Sequence, residues 1–489
     1  MKLLKNTRKK VVTLAVASAL GGVAMMSAPA HAMNVAQDGK GEVLLFPYYT
    51  VLNGFDTIFS VTNTSDRTVL FKVRWREAKN SREVRDFNVA LSPHDVWTAG
   101  VTINGSGALV RTFDKSCTSP ILPAGPNGST QVDFTNVGYD GSDPAFPYDN
   151  GGKALSRVQE GYFEIIEMAI STIPESSITS AATIEYNTQH VTGVPRSCAT
   201  FDNAFLDGAN LVNAASGSGV FSTFTAPANV LVGNATLINV ATGKAVDATP
   251  TAIQNFQDSQ TIIFSPGDLS PSLGDGEIAP NAFMLIDGAP TTVAVAAAVV
   301  PPSVDAVSVL LMANRVINEY ATGGSDTSSA KTDWVVTFPT KHHYTDDGLT
   351  AVQPPFAQLF SPTGTSCDPI SLSIYDREEK TQVNVGQTQF SPRPTGPSGA
   401  SLCNEVNVLT FNNSAVLGSG VQLSVDTSTV GTAGWAALTL TANVPLLGFT
   451  GLPTIGFSAI TRDNTADAGN NRNYGSGSDH ARVVDFVAP

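Results

Sequence analysis

The chain has 489 residues, with 28 Lys+Arg against 42 Asp+Glu and a formal net charge of −14. Charged residues make up only 14% and hydrophobic residues 42%, against a charged share of roughly 25% in ordinary soluble domains. With only 42 Gly and 29 Pro, a disordered or collagen-like chain is excluded, and the length allows roughly two to four domains.

Residues 1–32 read as an export signal. Lys2, Lys5, Arg8, Lys9 and Lys10 form a basic head, Val11 to Met26 an apolar run, and Ala30-His31-Ala32 a small-residue cleavage motif. The apolar run is short and broken by glycine, which disfavours a membrane anchor. No Cys follows it and no Arg-Arg pair precedes it, which points to the general secretory route without lipidation. Cleavage leaves 23 basic against 42 acidic residues, or −19, a balance that repels nucleic acid. The most apolar later run, Val293 to Val300, stops at Pro301-Pro302, well short of the ~18 residues a spanning helix needs. The expectation is a product with no transmembrane segment after cleavage, at the cell surface or outside the cell, with the periplasm as the alternative.

The remainder reads as mainly β. Four Asn-Gly and six Asp-Gly pairs punctuate it, and these dipeptides tolerate the positive φ of hairpin turns. Residues 33–115 form the clearest module. Thr57 to Thr64 and Thr68 to Glu77 are strands about a Ser65-Asp66 turn, followed by strands over Phe87 to Leu91 and Val96 to Val101. In the second strand Val69, Phe71, Val73 and Trp75 alternate with Leu70, Lys72, Arg74 and Arg76, one face apolar and the other mostly basic. This succession predicts an immunoglobulin-like antiparallel β-sandwich.

Residues 116–489 form a larger β-rich region. Its strand candidates are Gly161 to Met168, Thr183 to Gln189, Thr261 to Phe264, Ala282 to Ile286, Trp334 to Phe338, Val421 to Val425, Ala436 to Thr441 and Thr454 to Ile460. Pro120 to Gly152 and Ser391 to Ala400 read as loops. One packed helix is predicted over 303–321: Ser303 is a cap, Ala306, Leu310, Ala313, Ile317 and Tyr320 share a face, and Gly323-Gly324 ends it. Cys117, Cys198, Cys367 and Cys403 are an even set, expected as two disulfides; of three pairings the neighbours, Cys117–Cys198 and Cys367–Cys403, are favoured.

Several stretches together resemble a family of exported proteins of Gram-negative bacteria, usually labelled hypothetical or cell-surface proteins. They are Gly41 to Thr50 (GEVLLFPYYT), Lys72 to Thr98, Gln159 to Met168 (QEGYFEIIEM), Asp305 to Tyr320, Asp333 to Tyr344 (DWVVTFPTKHHY) and Gly451 to Phe457. The resemblance implies a surface or secreted location and a β-rich fold, and it carries no chemistry to any residue.

Candidate sites follow from residue chemistry. No Gly-x-Ser-x-Gly occurs, and His94, His190 and Asp95 make no motif, so a hydrolase has little support. His342, His343, Asp346 and Asp347 could hold a transition metal, but neighbours on an extended backbone diverge, which favours a solvated loop. Asp140, Asp143 and Asp149 offer the hard oxygen ligands calcium prefers, without EF-hand spacing; no other cofactor is expected. Arg67, Lys72, Arg74, Arg76, Lys79, Arg82 and Arg85 place seven cations in 19 positions, with Lys72, Arg74 and Arg76 as a ladder on one strand face.

The cations nominate Lys72, Arg74, Arg76, Arg82 and Arg85 for binding cell-envelope polysaccharide, lipopolysaccharide phosphate or an acidic patch of a neighbouring copy. A solvated face paired with Glu77, Glu83 and Asp86 is the plain alternative. The expected function is an exported, non-catalytic structural or adhesive surface protein. The alternative is a secreted carbohydrate-active or other hydrolytic enzyme on a β scaffold, built on an Asp/Glu pair.

Overall fold

The computed structural model describes residues 32–206, 219–286, 288–296, 300–325, 328–346, 348–360, 362–382, 390–391, 400–464 and 473–486. The segment before Ala32, read above as an export signal, lies outside the described residues, as does most of the Ser391–Ala400 stretch. Strands hold 46% of the described residues and helices 13%, so the protein is mainly β. Among the described residues no helix is long and apolar enough to cross a membrane.

In chain order the first eleven strands are β1 (Asn34–Val35), β2 (Lys40–Gly41), β3 (Val43–Thr50), β4 (Asp56–Asn63), β5 (Arg67–Glu77) and β6 (Glu83–Leu91). β7 (Val96–Asn104), β8 (Gly107–Thr112), β9 (Cys117–Ser119), β10 (Thr130–Asp133) and β11 (Glu160–Pro174) follow. One sheet runs β1, Thr251–Gln254, β3, β11, β5, β6, β9; the facing sheet runs β10, β8, β7, β4, Leu231–Asn239, Lys244–Asp247. Between them lies an aromatic core in which Phe46 stacks on Phe163 at 4.1 Å and Phe59 meets Trp97 edge-on at 5.4 Å.

Residues 33–115 therefore do not close a sandwich alone, as the immunoglobulin-like reading expected. β11 enters between β3 and β5, pairing with both, and Leu231–Asn239 pairs with β4. Local turn signals report hairpins, whereas these central partners come from far along the chain.

A second pair of sheets forms from the C-terminal half. One is ordered Thr381–Gln382, Asp368–Asp376, Ala433–Leu440, Arg315–Ala321, Ala481–Val483. The other is ordered Phe390–Ser391, Gln422–Val425, Val406–Phe411, Ser328–Thr337, Ile455–Asn464, Tyr474–Asp479. The halves interlock. Val43, Leu45 and Ile166 share a core with Trp334 and Leu438, and Phe46 and Trp75 share one with Val335 and Phe457.

Helix α1 spans Pro302–Leu311 and is buried from Ser303 to Leu311. It stops ten residues before the predicted end, because Met312 turns extended and Arg315–Ala321 becomes a central strand. Val316 and Tyr320 are buried on that strand's inner face, whereas Ile317, assigned with Tyr320 to the helix face, lies on the other side, so the segment also carries an alternation that the helical reading passed over. Pro301, not Ser303, occupies the cap, and the Ser303 hydroxyl donates to Leu273 O. The Thr183–Gln189 strand candidate is instead a short helix, Ile184–Thr188, capped by Thr183, and Thr261–Phe264 is irregular. The disulfides join Cys117 to Cys198 and Cys367 to Cys403, the neighbour pairing.

Candidate functional site

Lys72, Arg74 and Arg76 do share one face of β5, but that face is not open. Their exposures are 0%, 1% and 6%. The 265–271 segment crosses the ladder, and Lys72 Nζ donates to the carbonyls of Ser265, Asp268 and Ser270 at 2.7, 2.9 and 2.7 Å while pairing with Asp86 at 3.0 Å. Burial pushes the Lys72 ammonium pKa down, and Asp86 opposes that shift. Arg74 grips Glu83 through Nε and Nη2 and donates to Pro271 O at 2.9 Å. Arg76 donates through Nε to Glu164 at 3.0 Å and through Nη1 to Ser81 O at 2.8 Å. A cation leaves water only where carboxylates and carbonyls replace its hydration, and each of these has both.

The ladder ends in a cleft of about 370 Å³ between the two halves of the fold. It is lined by Arg74, Arg76, Arg82 and Arg85, by the apolar Phe146 and Leu269, and by His342, His343 and Asp346. Arg82 lies 3.9 Å from both Asp149 and Asp346. Arg85 donates through Nε and Nη2 to Asp133 O.

The histidines overturn an expectation. They lie on a helical turn, α2 (His342–Thr345), with ring centroids 4.1 Å apart, so the divergence argued from an extended backbone does not apply. The turn is not a solvated loop: Lys341, just before it, is buried against Asp368 at 2.8 Å and donates to Ser366 O. His342 is only 11% exposed. Burial and the neighbouring arginines hold both imidazoles neutral, His343 with a pKa lowered to about 3 and His342 well below its ordinary value.

Three of the four ring nitrogens, His342 Nδ1 and Nε2 and His343 Nε2, are enclosed with no hydrogen-bond partner among the described residues. Glu405, whose carboxyl is pushed well up by burial, lies 4.0 Å from His342 Nδ1, beyond bonding distance. Asp347 is outside the described residues, and among the described residues no three His, Cys, Asp or Glu side chains form a group able to hold a metal ion.

The proposed calcium ligands are each engaged by a partner within the chain. Asp140 Oδ1 accepts from Ser142 N at 2.7 Å and Asp143 Oδ1 from Ala145 N at 2.9 Å, each closing its own turn. Asp149 is buried and held by Arg157 through two 2.9 Å bonds. Arg157 also pairs with Glu77 at 3.0 Å, a partnership no local motif announces.

His190 and Asp95, separate in sequence, meet at 3.4 Å beside Ser92. Ser92 Oγ lies 3.5 Å from the same His190 Nδ1 and 3.3 Å from Asp95. A hydrolytic relay needs serine and carboxylate on opposite ring nitrogens, so this cluster is no triad.

Fold and site define a disulfide-bonded, mainly β protein with an arginine- and histidine-lined cleft where its two halves meet. No family model, curated protein or solved structure matches the chain.

Proposed function

We propose that this is an exported, non-catalytic protein of the cell surface or extracellular space that binds an acidic envelope glycan in the cleft. The observation that carries the reading is the lining of the cleft: four arginines, Arg74, Arg76, Arg82 and Arg85, and two histidines border a space of about 370 Å³. Guanidinium suits carboxylate and phosphate recognition, and ion pairs hold Arg74 and Arg76 in place before any ligand arrives. Two disulfides accord with an oxidising compartment. The binding residues of this reading shift from the buried Lys72 ladder to Arg82 and Arg85 at its rim.

Isothermal titration of the mature protein with acidic envelope polysaccharide tests it. Arg82→Ala with Arg85→Ala should weaken binding at least tenfold without unfolding the chain, and undiminished binding would sink the proposal. Immunogold labelling of intact cells tests the location; label that appears only after permeabilisation removes the surface half of the reading.

A carbohydrate-active enzyme is the second reading, favoured by Glu83 and Asp86 together on the cleft wall, with the Asp86 carboxyl raised by burial and by Glu83. Both carboxylates are engaged, by Arg74 and by Lys72. New reducing ends released from the bound polysaccharide would decide for the enzyme.

A further inference from the structure

We infer that the protein carries a second ligand site, separate from the cleft: a cavity at Arg482 that takes a monocarboxylate with an aliphatic tail. Arg482 lies on the Ala481–Val483 strand, which pairs with Arg315–Ala321 at the edge of its sheet and sets Arg482 opposite Val316. Directly opposed residues of an antiparallel pair share a face, and Val316 is fully buried, so the Arg482 side chain runs inward. There its Nη1 donates to Leu310 O, in the last turn of α1, at 3.1 Å.

What sets this arginine apart is the lack of a counter-charge. The cations buried elsewhere each face a carboxylate: Lys72 has Asp86 at 3.0 Å, Arg74 has Glu83, Arg76 has Glu164 at 3.0 Å, Arg157 has Asp149 at 2.9 Å and Lys341 has Asp368 at 2.8 Å. Among the described residues Arg482 has no carboxylate within ion-pair distance and no hydrogen bond beyond the one to Leu310. Burial pushes its pKa down, and no acid opposes that shift. Its Nε and Nη2 have no partner among the described residues and, unlike the enclosed ring nitrogens of His342, keep accessible surface. An inward cation without a counter-charge costs free energy, and an anion that reaches those two nitrogens recovers it.

Arg482 lines two cavities, of about 690 and 410 Å³, and neither shares a residue with the cleft. The larger is bordered by Val35, Met284 and Val484, apolar side chains packed against the core beneath. That lining dictates the ligand. The planar guanidinium offers two donors to one carboxylate, and the apolar side chains offer surface to a hydrocarbon tail. Asp38 borders the larger cavity and Asp479 the smaller, and two carboxylates on these linings disfavour a dianion such as phosphate more than a monoanion. An inward charge at a sheet edge also blocks strand addition. That role asks for no ligand, and the test separates the two.

The test is calorimetry of the purified protein at pH 7 with sodium octanoate, octan-1-ol and inorganic phosphate. Octanoate should bind at a single site, at least tenfold more tightly than either of the others. Arg482→Met keeps an unbranched stem and removes the charge; replacing an unpaired inward cation with an apolar side chain is compatible with the fold, and octanoate affinity should fall at least tenfold. Arg82→Ala with Arg85→Ala alters the cleft alone and should leave octanoate affinity unchanged. Octanol or phosphate binding as tightly as octanoate, undiminished binding by Arg482→Met, or loss of binding in the cleft variant each overturns the proposal. No octanoate binding at all also overturns it and leaves Arg482 as a guard of the sheet edge. If Arg482→Met does not fold, the ranking of the three compounds on the parent protein and the cleft variant still decide.

Discussion

β5 and the Asp368–Asp376 strand both alternate apolar with more polar residues, yet they end differently. In the C-terminal strand Ile370, Leu372 and Ile374 are buried while Pro369 and Ser371 face water, the ordinary state of a half-covered antiparallel sheet. On the same open face Trp435 stays 41% exposed, stacked on Tyr375 at 4.2 Å. In β5 every residue after Arg67 is buried, Lys72, Arg74 and Arg76 included. The difference lies in what crosses the second face: the 265–271 segment and the α2 turn over β5 and, among the described residues, nothing comparable over Ser371. Alternation tells which residues share a face, and a distant segment decides whether that face sees water.

The largest effect expected from breaking this contrast is at Glu164, which is fully buried 3.0 Å from Arg76 and 3.7 Å from Arg74. Glu164→Ala leaves the buried Arg76 guanidinium without its carboxylate, while Arg74 keeps Glu83, and should destabilise by about 3–5 kcal/mol, read from urea unfolding. A loss below about 1 kcal/mol would mean that water reaches the ladder.

Next in size are two pH effects of opposite sign, one from each half. Glu42 on the covered side is fully buried and accepts from Gln257 N at 2.8 Å; burial raises its carboxyl to about 7. The folded state then holds a proton that the unfolded chain releases near 4.5, so this group's contribution to stability falls as pH rises from about 4.5 to 7. Glu42→Gln should remove that slope, gaining on the order of 3 kcal/mol relative to the parent between pH 5 and 8.

His480 in the C-terminal half runs the other way. Its Nε2 lies 2.9 Å from Val335 O and its Nδ1 3.1 Å from Asn318, a set that suits the neutral ring, and burial lowers its pKa to about 4. Its contribution is complete above about pH 6.5 and is lost as pH falls toward 4. His480→Gln should flatten that acid limb, and chemical denaturation at several pH values reads both variants. Equal and parallel pH curves for the parent and both variants would contradict the burial of these two groups.

The smallest effect belongs to the open face. Ser371→Ala should change stability by no more than about 0.5 kcal/mol, measured under the same urea conditions as Glu164→Ala. A larger cost would show that this face, too, is covered in solution, for example by another copy of the chain.

Much of the local structure was legible in the residues. β4, β5, β6 and β7 fall where alternation places them, and the cysteines pair as neighbours. Local signals failed where a segment had two physical solutions. Arg315–Ala321 fits a helix or a strand, and pairing with Ala433–Leu440 selects the strand. His342 and His343 would diverge on extended backbone and instead lie 4.1 Å apart, rings tilted by 36°, on a helical turn, and the buried Lys341–Asp368 pair lies where that turn begins. Of the cleft, the arginines were legible as a basic cluster; the pairing of Glu164 with Arg74 and Arg76 was not, since Glu164 stands about 90 positions away in the chain.

By itself the sequence determined the strand faces, the turns, the excess of acid over base and the mainly β character, because these rest on neighbours a few residues apart. Only the tertiary structure decided that the basic face is enclosed, that β11 divides the first module, and that two histidines and four arginines line one cleft. Burial and charge compensation depend on which distant segments meet, and a charge can leave water only when its partner arrives with the fold.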